Sequence, residues 1–264
     1  MSGALKFTRR AAMAAGFAGA GVLVYEANNL TLTPNMQRIF RATEGWTMLV
    51  QRTLLSPGQL AREYTAADIS PVFKANGTLN PGTDEYAAHL ANNFINWRLR
   101  IDGMVAHPMS LPVAEIRKLP SRTQITRHDC VEGWSAIGQW TGVPLGLLLK
   151  AAAISPRARY AVFHCADNLT GEPAKGGAQS PGQYYESIDL VDAFHPQTII
   201  AYALNGRPLD VPHGAPLRLR VERQLGYKMA KYVNRIEITD SFARIAGGRG
   251  GYWEDRGYDW YAGI

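Results

Sequence analysis

The chain has 264 residues, 46% hydrophobic and 10% aromatic, enough to bury a substantial core in one large domain or two small ones. Its 28 Lys+Arg against 22 Asp+Glu leave a formal charge of +6, spread along the chain rather than gathered in runs, which suits an anionic cofactor or substrate and argues against a nucleic-acid partner. Only two cysteines occur, Cys130 and Cys165, so the chain alone builds neither a four-thiolate zinc site nor a cysteine-ligated iron–sulfur cluster, while one disulfide stays open.

Lys6, Arg9 and Arg10 precede an Ala/Gly-rich apolar run from Ala11 to Val24, the layout of an export signal. The run is shorter than the roughly 20 apolar residues of a spanning helix. Thr8-Arg9-Arg10 before a weakly hydrophobic stretch resembles a twin-arginine signal, although Ala12 stands where Phe or Leu is usual. A periplasmic location follows, with a retained N-terminal anchor as the alternative because Tyr25-Glu26-Ala27 is a poor cleavage site. Asn28 to Ser70 reads as a partly helical lead-in interrupted by Pro34, Pro57 and Gly58, and Pro71 to Gly82 as loop.

Trp97 to Ile101 alternates with period two and meets Asp102-Gly103, which predicts a hairpin. Gln124 to Arg127 alternates again and delivers His128-Asp129-Cys130 at a strand end; from Val143-Pro144 to Ala153 a helix is expected. Strands are expected over Tyr160–Cys165, Ile199–Leu204, Leu217–Val221 and Val233–Ile238, a helix over Ile188–Phe194, and a long surface loop over Gly171–Gln183. The class is α+β with mixed sheets and flanking helices. The tail mixes hinge glycines from Gly247 to Gly251 with Tyr252, Trp253, Trp260 and Tyr261, a density of aromatics that predicts docking onto the domain.

Arg127 to Ser135 concentrates polar chemistry at one thiol. Positive charge at Arg127 and His128 would favour the Cys130 thiolate, the form that attacks an electrophile or binds a metal. On spacing alone a nucleophile, a metal ligand and half of a Cys130–Cys165 disulfide stay open.

Cys130-Val-Glu-Gly-Trp-Ser135, Trp140 and Thr141-Gly-Val-Pro144 resemble the metal-binding loop of the sulfite oxidase fold family. The similarity continues through Arg159 to Phe163, His195-Pro196, His213-Gly-Ala-Pro216, Arg218 and Gly226-Tyr-Lys228 with Lys231, collinear over roughly residues 70 to 245. The bacterial branch that includes the catalytic subunit of periplasmic methionine sulfoxide reductase is the nearest in pattern.

The resemblance implies the sulfite oxidase (oxidoreductase molybdopterin-binding) fold, with molybdenum held by the Cys130 sulfur and the dithiolene of one molybdopterin, a Mo-pyranopterin. It implies cofactor contacts from Asn76, Cys165, His213, Arg218, Lys228 and Lys231 and from backbone around Met229 and Ala230. Cys165 departs from the pattern, since the methionine sulfoxide reductase branch has threonine there. Glu132 and His128, two residues either side of Cys130, are candidates to deliver protons. The organisation expected is a signal or anchor over 1–27, a lead-in over 28–69, the catalytic domain over 70–245 and an aromatic tail over 246–264 packed on it.

The activity implied is oxygen-atom transfer to or from a small oxo acceptor or donor, the metal cycling between Mo(VI) and Mo(IV). No haem or flavin motif occurs, so electrons pass to or from a separate partner, a membrane b-type or soluble c-type cytochrome, and the chain is expected to act as a monomeric catalytic subunit. The direction leans towards sulfoxide or N-oxide reduction, because sulfite oxidation asks for several arginines converging on an anion. The rivals are an exported cysteine-nucleophile enzyme and a disulfide-stabilised binding domain.

Overall fold

The structure is a computed structural model that describes residues 34–172 and 180–264, with side chains from residue 42 onward. The export signal and part of the expected Gly171–Gln183 loop lie outside the described residues. The chain divides into two units, Met1–Thr47 and Met48–Ile264. Described residues of the first form the opening turns of helix α1 (Pro34–Leu54). Pro34, expected to interrupt the lead-in, is the first helical residue, where its missing N–H costs nothing. Among the described residues no helix is long and apolar enough to cross a membrane.

The second unit follows the α+β expectation. After helix α2 (Asp84–Ala91), capped by the Thr83 hydroxyl, come strand β1 (Arg98–Gly103), β2 (Met109–Pro112) and the short helix α3 (Val113–Ile116). Then follow β3 (Arg122–Cys130), β4 (Trp134–Pro144), helix α4 (Leu145–Ala151), β5 (Tyr160–Asn168), β6 (Gln183–Asp189) and helix α5 (Leu190–Ala193). Strands β7 (Ile199–Leu204), β8 (Arg207–Pro208), β9 (Arg218–Arg220) and β10 (Val233–Thr239) complete the order.

One sheet runs β2-β1-β10-β5-β6 and the other β3-β4-β7-β8, with β9 paired to β7. β1 and β2 form the expected hairpin, but Asp102-Gly103 ends β1 rather than making the turn, and β1 also pairs with β10 in parallel. Gly103 is required there: it has φ +86°, and a Cβ would lie 2.3 Å from the Ile238 carbonyl oxygen.

Two elements correct the sequence expectations. The stretch read for its chemistry, Trp134 to Pro144, is an eleven-residue strand pairing with both β3 and β7. Ile188 and Asp189, expected as helix, close strand β6; the helix is only the turn after them, capped by the Asp189 carboxylate. In the first, burial of alternate residues against a packed core sets the conformation; in the second, pairing with β5 does. That core gathers Leu99, Ile101, Phe163, Ile200, Leu219 and Ile236 from both sheets, all 0% exposed.

The topology leads the chain from one sheet into the other between β9 and β10. This crossing, residues 221–232, is stitched to both by Leu219 N–H to the Ala230 carbonyl (2.8 Å) and Val233 N–H to the Leu217 carbonyl (3.0 Å). It carries Lys228, Met229, Ala230 and Lys231 past the end of β3, where Cys130 sits.

Candidate active site

Cys130 is the last residue of β3, paired with Trp134 across a three-residue loop whose Gly133 has φ +84°. This tight loop fixes the half-buried thiol at the wall of a cavity of about 190 Å³. Asn76, Thr78, Glu132, Asp167, Met229 and Lys231 line it together with Leu169, Tyr184, Tyr227, Trp253 and Tyr258. A larger open groove of about 1120 Å³, between Arg100, His164, Arg235 and Asp255, lacks Cys130, Arg218 and Lys231.

Two buried cations stand near it, Lys231 in the lining and Arg218 outside it. Lys231 donates to the carbonyls of Asn76 (2.7 Å), Pro212 (2.8 Å) and Thr78, so its amine holds two loops together. Burial and the Arg218 charge bring its pKa down to about 7. Arg218 is fully buried and bonds only carbonyls, those of His213 (3.1 Å) and Met229 (3.3 Å); burial and Arg220 lower its pKa to about 9, so it stays charged at neutral pH. Among the described residues neither cation has a carboxylate in ion-pair contact. Arg220 differs: Glu222 grips it at 2.9 and 2.6 Å. Both guanidiniums stack on buried Trp140, their carbons 4.9 and 4.4 Å from the ring centroid.

The predicted residues separate into groups. Asn76, Cys130, Glu132, Met229 and Lys231 share the cavity. His213 lies behind it, its ring nitrogens facing Asp210 (2.5 Å) and the Phe73 carbonyl (2.8 Å). Ala230 is buried in the crossing. Cys165 is buried on the face of β5 that also carries Asp167. Glu132 is largely exposed, accepts from Trp134 Nε1 at 2.9 Å and sits 3.8 Å from Lys74; these contacts lower its pKa, the Trp134 bond most.

His128 shares the inward face of β3 but does not line the cavity. It is 0% exposed, its Nδ1 3.0 Å from Arg220 and 3.3 Å from the Met229 sulfur, and burial drives its pKa well below the ordinary value. This enclosed imidazole accepts from Arg220 at Nδ1 and stands outside the cavity lining, which takes it away from the reacting group. Lys228 is likewise turned elsewhere, into Glu186 and Glu254, each at 2.5 Å. With its charge met by two carboxylates, it leaves the set of phosphate anchors.

Two further expectations are overturned. Arg127 pairs with Asp129 at 2.9 Å and His128 is neutral, so neither activates Cys130; burial, the dominant influence, raises its pKa instead. Cys130 and Cys165 are both free thiols, which removes the disulfide-stabilised reading. Sequence reasoning missed Asp167, whose buried carboxyl is raised to about 6 by desolvation, and the aromatic side of the cavity. Asp167 stands two residues after Cys165 in an alternating strand, so its shared face was readable; the aromatics meet only through tertiary folding.

The site fits an anionic cofactor with a soft metal. Among the described residues, Arg218 Nε, Asn76 Oδ1 and Asp167 Oδ1 are buried without hydrogen-bond partners, an arrangement that costs free energy until a ligand supplies them. No group of three His, Cys, Asp or Glu able to hold a metal occurs among the described residues, and Cys130 is the thiol that lines the cavity.

Buried polar groups left without partners beside a cavity-wall thiol mark the site of a cofactor-dependent enzyme. The family profile described as the oxidoreductase molybdopterin binding domain matches residues 87–244. The chain belongs to that family, and it is an oxidoreductase whose cofactor is molybdopterin. It is 36% identical over 228 residues to a putative protein-methionine-sulfoxide reductase subunit YedZ1 of Azospira oryzae, covering 86% of this chain and 74% of that one. It is 31% identical to the protein-methionine-sulfoxide reductase catalytic subunit MsrP of Xanthomonas campestris, over 74% of this chain and 63% of the relative, somewhat under two thirds of its length. Among solved structures the sulfane dehydrogenase SoxCD of Paracoccus pantotrophus aligns with TM-score 0.48 at 24% identity, over 56% of this chain and 39% of that one.

Proposed function

We propose that this protein reduces sulfoxides by oxygen-atom transfer in the periplasm, drawing electrons from a separate cytochrome. The cavity's charge carries the reading. Among its lining residues there is no arginine, the one cation is Lys231, and Glu132 and Asp167 are carboxyl groups. A sulfite dianion would meet two carboxylates and a single amine, whereas a sulfoxide is neutral and asks only for one hydrogen-bond donor at its oxygen. The relatives named as methionine sulfoxide reductases support the same substrate class.

When bound, the molybdenum–pterin supplies the two-electron centre that accepts the oxygen atom. Cys130 would hold the metal, Arg218 and Lys231 the anionic end of the pterin, and Asn76 and the Met229–Lys231 backbone its polar edges. Asp167, buried in the cavity with its pKa raised to about 6, is a carboxylate at neutral pH and takes up a proton as the pH falls through that value. The cavity's aromatic side excludes water from the reacting group.

The reading is tested with molybdenum-loaded protein: dimethyl and methyl phenyl sulfoxide with a reduced viologen donor, sulfite with ferricyanide. Repulsion of several kcal/mol between like charges puts sulfoxide reduction ahead in kcat/KM by about 100-fold or more. Sulfite turnover as fast as sulfoxide turnover would refute the proposal.

A further inference from the structure

The aromatic side of the cavity has a distinct origin. Trp253 and Tyr258 belong to the C-terminal tail, past the residues 87–244 matched by the family profile. They pack on each other with ring centroids 5.4 Å apart, and Tyr258 meets Tyr227 edge-on at 5.2 Å. Tyr252 stacks on Tyr184 at 5.7 Å. Tyr184 donates its hydroxyl to the Tyr227 carbonyl and Tyr227 donates to the Asp259 carbonyl, both at 2.6 Å. The panel is built as one piece.

It is also anchored. Glu254, next to Trp253, reaches Lys228 in the crossing, and Lys228 reaches Glu186 in β6, so a buried ion cluster pins the tail to the sheet. Arg256 caps Tyr252 from 3.5 Å, and Gly257, with φ +107°, turns the chain so that Tyr258 faces back to Trp253. A tail that served only to cover apolar surface would need no buried charges to fix its angle.

The panel reaches the surface. Tyr258 is 42% exposed and Val131, beside Cys130, 45%, while the cations Arg218 and Lys231 lie deep.

We infer that Trp253 and Tyr258 form the specificity wall of the enzyme, binding the apolar substituent on sulfur, so that sulfoxides bearing an aryl or bulky thioether-like group are preferred over dimethyl sulfoxide. This rests on the sulfoxide reading for the reaction and deepens it. Each ring contributes flat apolar surface at little entropic cost, and one aromatic contact is worth about tenfold in affinity.

The test separates the two ideas. With holoenzyme, Kd is measured by calorimetry for methyl phenyl sulfone and dimethyl sulfone, which resemble the substrates but are not reduced. Steady-state kinetics follow for the two sulfoxides, with wild type, Tyr258→Ala and Trp253→Leu. Circular dichroism and melting confirm that each variant is folded; exposed Tyr258 is the less disruptive site. Wild type binds the phenyl sulfone more tightly by about tenfold, and each variant loses most of that preference, in KM rather than kcat. Unchanged Kd and KM ratios in both variants would overturn the wall. Failure to reduce either sulfoxide would refute the reaction, and sulfone binding would then decide the wall alone.

Discussion

Lys228 and Lys231 are three residues apart on one short crossing, both almost fully buried, and they have opposite electrostatic fates. Lys228 meets Glu186 and Glu254, which outweigh burial and raise its pKa. Lys231 meets only carbonyls in direct contact, and burial with Arg218 lowers its pKa to about 7. A buried charge with its counter-ions inside the fold builds structure; one left without them is a place prepared for an ion from outside. The first anchors the tail and the second floors the site.

The largest effect breaks the site at the thiol. Cys130→Ser replaces a soft ligand by a hydroxyl and should lower turnover by about a thousandfold or more in a folded protein, measured with the viologen donor. Cys165→Ser should keep most activity, since Cys165 lies outside the cavity lining. Equal losses would place both thiols on the same footing and contradict the assignment.

Next is the compensated lysine. Lys228→Met strands two carboxyl groups in the core and should cost about 3–5 kcal/mol in urea unfolding, with and without cofactor alike. A loss confined to the cofactor-bound protein would make Lys228 a cofactor anchor after all.

The uncompensated lysine behaves differently. Its folded pKa, about 7, lies below its ordinary 10.5, so between these values the unfolded chain binds more protons and this group makes apoprotein stability rise with pH. Lys231→Met should remove that component, read as the difference between the two pH–stability curves. It should also lower retained pterin by about ten- to a hundredfold, the worth of a charged hydrogen bond of ~1.5–3 kcal/mol. Parallel curves would show that Lys231 is charged as freely in the fold as in solution.

The smallest structural effect is expected at the N-terminus. Arg9→Lys with Arg10→Lys should leave pterin content unchanged while the protein accumulates in the cytoplasm, checked by fractionation. Normal export of the double variant would contradict the twin-arginine reading.

How much of this was legible in sequence differs between the lysines' two settings. Cys130 at a strand end followed from alternation up to Arg127. Asn76, Met229 and Lys231 came from collinear motifs, and they meet at the cavity because the crossing and the 76–78 loop are fastened by Lys231 itself. Lys228 matched the same motif, but its partners Glu186 and Glu254 are 42 and 26 residues away, and nothing local announces them. His128 misled for a similar reason: adjacency in sequence placed it near the thiol, while β3 buries it beside Arg220. Strand β4 was hidden because its glycines and polar residues weaken a period that sheet pairing on both edges restores.

The central claim, that one thiol and the uncompensated cations Arg218 and Lys231 hold a molybdenum–pterin, is met most directly by metal and pterin analysis of protein purified from molybdate-replete cells. The account predicts about one molybdenum and one pterin per chain, with pterin strongly reduced in Arg218→Ala and Lys231→Met but not in Lys228→Met. No molybdenum in the folded wild type, or equal pterin in all three variants, would contradict it.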